Sequence, residues 1–131
     1  MMSFEEKALE SLDAGKKLYE EKEYNSCVNR AYYGMFQIIL HKIDIINKLE
    51  YVDNESKISN MGTHSFTMYW YINNVLESRV KNSDKIMANR CTSTLRDLRH
   101  KADYTKEAID ERVAKNALKY SNDFYEIVKN K

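Results

Sequence analysis

The run Tyr24-Asn25-Ser26-Cys27-Val28-Asn29-Arg30-Ala31-Tyr32-Tyr33-Gly34-Met35-Phe36-Gln37-Ile38-Ile39-Leu40 decides how this chain folds. Cys27, Val28, Ala31, Met35 and Ile38 recur at the spacing that stacks side chains on one face of an α-helix. Ile45 and Ile46 continue that stripe, so the helix is expected to run from about Tyr24 to Leu49. Tyr32, Tyr33, Phe36 and Leu40 widen the apolar surface well beyond one stripe. A helix that is apolar around so much of its girth belongs at the centre of a bundle.

Working outward, the absence of proline and the presence of only three glycines leave helix as the default state of the rest. Upstream, Ser3 and Glu6 have the spacing of a capping box, and the helix they open carries Phe4, Ala8, Leu12, Gly15 and Leu18 inward. Downstream, residues 51–62 read as one long loop. Thr63 is then expected to cap a third helix bearing Phe66, Tyr69, Trp70, Ile72 and Leu76. Lys81-Asn82-Ser83 turns the chain, and Ser83 can cap a fourth helix with Met87, Ala88, Cys91, Leu95, Leu98 and Ala102 inward. Thr105 is expected to start the last helix, where Ile109, Val113, Ala117, Tyr120, Phe124 and Ile127 recur at steps of three and four. The expectation is an all-α fold, an antiparallel up-and-down bundle of four to five helices in a single domain spanning residues 1–131.

With 21 basic and 20 acidic residues the formal net charge is +1, which gives no general affinity for DNA or a membrane surface. The charge is unevenly spread. Arg79, Lys81, Lys85, Arg90, Arg96, Arg99 and Lys101 are opposed within their segment only by Asp84 and Asp97, a strip suited to a small anion or an RNA backbone. Cys27 and Cys91 fall on apolar helix faces and read as core hydrophobes of a reduced, cytoplasmic protein. No cysteine or histidine spacing suits a metal, and no cofactor is expected. The first residues lack a signal-sequence pattern, and no apolar run nears the roughly 20 residues needed to span a bilayer. A soluble protein with no membrane partner is expected.

The fourth helix carries a second stripe beside its apolar one. At about 100° per residue, Lys85, Asn89, Thr92, Arg96, Arg99 and Asp103 share a flank, with His100 at its outer edge. Asp97 and Lys101 lie elsewhere, spaced as an ordinary solvent pair. Arg30, on the central helix among Ala31, Tyr32 and Tyr33, needs a carboxylate, and Asp103 is the candidate. His64 follows a helix start, where an anion could be held. His41 has no polar cluster around it and reads as structural. Tyr69-Trp70-Tyr71 could stack bases, although such runs more often serve a core or a dimer surface.

These residues resemble a known pattern. Arg30-Ala31-Tyr32-Tyr33-Gly34-Met35-Phe36 is similar to the R-x-Y-Y-x-x-F element of HEPN-domain proteins. Thr63-His64-Ser65, Arg99-x-x-Ala102-Asp103-Tyr104 and the alanine-spaced last helix follow in matching order. The resemblance implies a compact bundle that forms a homodimer. It also implies a nucleotide- or RNA-binding component of a toxin–antitoxin or anti-phage defence module, in some members paired with a minimal nucleotidyltransferase. Many such proteins are metal-independent endoribonucleases that use an arginine and, after four to six intervening residues, a histidine in a cleft shared across the dimer. By that resemblance Arg96 and His100 would be catalytic, the histidine moving protons and the arginine steadying phosphate charge. Arg99, Asp103, Arg30 and His64 would bind nucleotide or RNA, and Tyr104 would be a modification site. Only three residues separate Arg96 from His100, and the segment is closer to the R-x-x-A-D-Y subgroup, in which the nuclease motif is often absent. Binding is therefore expected ahead of cleavage, and the alternative is a non-catalytic module that binds and regulates a nucleotidyltransferase.

Overall fold

The structure, a computed structural model, describes residues 1–131. It is an all-α, up-and-down bundle of six helices: α1 (Phe4–Glu20), α2 (Tyr24–Asp44), α3 (Leu49–Ile58), α4 (Thr63–Tyr71), α5 (Asn82–Tyr104) and α6 (Glu111–Val128). A π-helical turn, Ile72–Leu76, extends α4. The central position expected for the second helix is what the packing gives, since α2 contacts α1, α3, α4, α5 and α6. Its Cys27, Val28, Ala31, Tyr32, Met35, Phe36, Ile38, Ile39 and Ile43 are all buried. No helix is long and apolar enough to cross a membrane.

Several boundaries differ from the sequence reading, each for a local reason. Helix α2 stops at Asp44 rather than near Leu49, because Asn47 takes a left-handed conformation (φ 59°). Lys48 N–H then donates to Ile43 O and Asn47 N–H to Asp44 O, the paired bonds of a Schellman cap. This leaves Ile45 exposed, and Ile39 and Ile43 supply the buried stripe instead. The segment read as a loop is largely helix α3, which buries only Val52 and Ser56. Gly62, not Thr63, is the cap residue of α4, and Lys81, not Ser83, precedes α5. Thr105 ends α5 instead of starting the last helix, its hydroxyl donating to Lys101 O at 2.7 Å. The last helix begins six residues later, where Asp110 Oδ1 accepts from Val113 N–H at 2.9 Å.

The Ser3–Glu6 capping box forms as its spacing implies, Glu6 N–H donating to Ser3 Oγ at 3.1 Å. Cys27 and Cys91 are fully buried free thiols, and burial pushes each up to about 11, so both stay protonated and inert. His41 ties α2 to α1, its Nε2 lying 3.1 Å from Glu5 Oε2. The neighbouring Lys42 is buried and donates to Lys129 O at 3.2 Å, placing a cation at the C-terminal end of α6.

Candidate functional site

The polar stripe of the fourth expected helix, here α5, divides between two neighbours. Its first half faces α4. Asn89, Thr92 and Arg96 line the α4–α5 groove, and Arg96 Nη1 donates to Ser65 Oγ at 3.2 Å in the first turn of α4. Its last turn faces α2. There the Arg99 guanidinium lies 4.9 Å from the Tyr32 ring centre and 5.4 Å from that of Tyr33. Two tyrosines fix its plane and draw on its charge, a contact worth about 0.5–2 kcal/mol.

Arg99 is held but not saturated. Its Nε is sealed from solvent and has no hydrogen-bond partner, while Asp103 Oδ2 stands 3.5 Å away. Asp103 is itself engaged by Asn29, whose Nδ2 lies 3.3 and 3.4 Å from the two carboxylate oxygens. The carboxylate that Arg30 was expected to meet is thus taken by Asn29 and Arg99. Arg30 is exposed, with its Cβ near Gly15 of α1. One residue of helix is a rotation of about 100°, enough to turn Asn29 toward α5 and Arg30 away from it.

His64 is the histidine this site contains. Its Nδ1 lies 2.8 Å from the Tyr32 hydroxyl, and its ring stacks on Phe36 at 4.1 Å between centres. Burial first, and then the Arg99 charge, hold its pKa below the ordinary imidazole value. Burial likewise pushes the Tyr32 hydroxyl up to about 12, against the opposing pull of Arg99. Both groups are therefore neutral at neutral pH. The Tyr32 hydroxyl and Nδ1 thus share one hydrogen bond between neutral groups, which leaves Nε2 as the ring nitrogen free for a further partner.

His100 and Tyr104 stand apart from this network. Both are exposed, and their rings contact only one another in the aromatic sense, at 5.2 Å between centres. Tyr104 is 67% exposed at the end of α5. Asp97 and Lys101 do not pair: Asp97 lies 3.8 Å from Arg96 Nε, and Lys101 lies 3.2 Å from Glu107. No three His, Cys, Asp or Glu side chains converge as metal ligands.

Arg96 thus meets the start of α4, which has no side-chain cap and no acidic residue in its first turn, while Arg99 stands one turn further along α5 over the tyrosines of α2. Unsatisfied amide N–H groups at a helix start favour negative charge. The sequence pointed to Arg96, Arg99, Asp103 and His64. It missed Asn29, Ser65 and the tyrosine platform, whose partners lie far away along the chain. The chain matches no family model, no curated protein and no solved structure.

Proposed function

We propose that this chain is a HEPN-like, nucleotide- or RNA-binding component of a toxin–antitoxin or anti-phage defence module, working as a homodimer. One observation carries the reading: two guanidinium groups stand one turn apart on α5, Arg99 backed by Tyr32 of α2 and Arg96 linked to Ser65 at the uncapped start of α4. A guanidinium fixed in this way loses little freedom when it binds a phosphate through paired hydrogen bonds.

Metal-independent endoribonuclease activity is the second part of the proposal. Arg96 and His100 lie four residues apart on α5 and both are exposed. His100 is exposed to a 2′-hydroxyl on a bound strand, whereas His64 is half-buried with its Nδ1 engaged by Tyr32. The alternative, a non-catalytic module that regulates a minimal nucleotidyltransferase partner, uses the same arginine face for docking.

Fluorescence anisotropy with a short single-stranded RNA tests the binding. Arg99→Ala is expected to weaken it tenfold or more, and Arg96→Ala to reduce the salt slope by about one. Absence of RNA and nucleotide binding in the unaltered chain would overturn the reading. RNA cleavage in the presence of a chelator, abolished by His100→Ala, assigns the nuclease. Binding without cleavage assigns the module alone.

A further inference from the structure

Beside Arg96 the α4–α5 face opens into a groove of about 280 Å³, near the lower end of small-ligand sites at roughly 300 Å³. Its floor is apolar, with Met68 and Ile72 buried there. Its lips stand in water. Tyr69 is 54% exposed and Met61 40% exposed, a ring and a thioether with little protein to cover them. The α5 wall is polar: Asn89 and Ser93 are both exposed, and Arg96 follows one turn on. Ser93 Oγ donates to Arg90 O at 3.3 Å and so keeps its lone pairs as acceptors, while the Asn89 amide offers both donors and an acceptor.

The backbone behind this groove departs from an ordinary helix. The π-helical turn begins at Ile72 in the floor. Asn73 Nδ2 donates to Tyr69 O at 2.9 Å and Asn74 Nδ2 to Trp70 O at 3.0 Å, so side-chain amides hold the carbonyls beside the widened turn. Turns of this kind are frequent at functional sites.

We infer that the groove seats one unpaired nucleobase, stacked on Tyr69 with its edge on Asn89 and Ser93, while Arg96 holds the phosphate attached to it. The inference rests on the anion-binding reading of Arg96 and Arg99 and names the ligand chemistry beside it. An aromatic face, an amide and hydroxyl wall and a terminal guanidinium match the face, edge and phosphate of a nucleotide in that order. Of the aromatic run Tyr69-Trp70-Tyr71, Tyr69 alone is free for this, since Tyr71 is buried and Trp70 is partly buried against the core.

Anisotropy with a short, mixed-sequence, unpaired oligoribonucleotide tests the assignment on the full chain, with Tyr69→Ala and with Ser93→Trp, which places an indole in the groove. Each substitution is expected to weaken binding on the order of tenfold, the worth of one base stacked on one ring, and to leave the salt slope unchanged. An abasic strand of equal length should bind the unaltered chain and Tyr69→Ala alike. If Arg99→Ala weakens binding while both groove variants bind normally, the groove assignment is overturned and the anion site stands. If the unaltered chain binds neither strand nor mononucleotide, both fall. Displacement of the strand by a 5′-mononucleotide but not by ribose 5-phosphate supports the assignment with a free nucleotide as the source. Displacement by neither, with discrimination against the abasic strand retained, supports it with RNA as the source. Conversion of a dimer to a monomer by Tyr69→Ala, with normal and abasic strands bound equally, makes the groove a contact between copies and overturns the assignment.

Discussion

Helix α2 has two faces built on opposite plans. Toward α1 it is closed by small residues: a Cβ on Gly34 would stand 2.8 Å from Leu12 Cδ2 and 3.0 Å from Leu12 Cγ, and Ala8 is fully buried nearby. A side-chain hydrogen bond on that face joins Ser11 and Gln37, at 2.8 Å. Toward α4 and α5 the same helix presents Tyr32, Tyr33 and Phe36, which receive His64 and Arg99. The first face is closely packed, its two helices meeting at Gly34 with Leu12 against the glycine. The second holds a cation whose Nε faces Asp103 at 3.5 Å without a hydrogen bond. Stability is concentrated where the helices touch closely, and reactivity is left where they do not.

The sharpest way to break this comparison is a double-mutant cycle on the closed face. Leu12→Ala should cost about 3 kcal/mol, the usual price of an unfilled buried leucine. Gly34→Ala alone should cost about 1–2 kcal/mol, because its methyl meets the Leu12 side chain faster than alanine's helix propensity can compensate. In the Leu12→Ala background the same methyl has room, and Gly34→Ala should become neutral or stabilising. Chemical denaturation measures all four corners. RNA affinity should be equal in all folded variants; a cycle that changes affinity would show that the two faces are not independent.

On the open face, Tyr32→Phe removes only the hydroxyl bonded to His64. Leaving Nδ1 without its hydrogen-bond partner in a half-buried setting should cost about 1–2 kcal/mol. The pH dependence follows from the direction of the His64 shift. Its folded pKa lies below the unfolded value near 6.5, so the unfolded chain binds the proton more readily. Stability is then full above about pH 6.5 and declines as pH falls from there through the folded pKa, by less than about 1.4 kcal/mol per pH unit. His64→Phe should flatten that segment of the stability curve relative to the unaltered chain. Arg99→Ala should raise the His64 pKa in an NMR titration, since its charge is the second cause of the shift. A His64 that titrates at or above 6.5 would remove the case for a neutral, Tyr32-bonded imidazole.

The closed face was legible in the sequence and the open one was legible only in part. Ala8, Leu12 and Gly15 recur at helical spacing, as do Ala31 and Met35, and periodicity alone places them inward. Helix α3 was hidden because Asp53, Asn54 and Ser56 favour turns, and its helix depends on packing of little more than Val52. Arg96, Arg99 and Asp103 were visible as a stripe, but a stripe does not say which neighbour each residue faces. Arg99 reaches the tyrosines of α2, whereas Arg96 reaches Ser65 of α4. Nor could sequence tell Asn29 from Arg30 as the partner of Asp103, since that depends on how α2 is rotated against α5.

The smallest effect concerns the two turns that bracket α2. Each ends its preceding helix with a residue at positive φ, Lys22 at 63° on the α1 side and Asn47 at 59° on the α3 side. Both make the same pair of bonds: Glu23 N–H to Leu18 O and Lys22 N–H to Tyr19 O at one end, and their counterparts around Ile43 and Asp44 at the other. The residue types differ in what this costs. Asparagine visits the left-handed region readily, whereas lysine carries the Cβ penalty of about 1–2 kcal/mol. Glycine removes that penalty but adds unfolded-state freedom of about 0.4–1 kcal/mol. Lys22→Gly should therefore stabilise the chain by a few tenths to about 1 kcal/mol, and Asn47→Gly should leave it unchanged or slightly weaker. Paired thermal and denaturant unfolding checks the difference. Equal responses at the two turns would mean that strain at Lys22 is relieved in solution, and the close fit of α1 on α2 would then owe nothing to that turn.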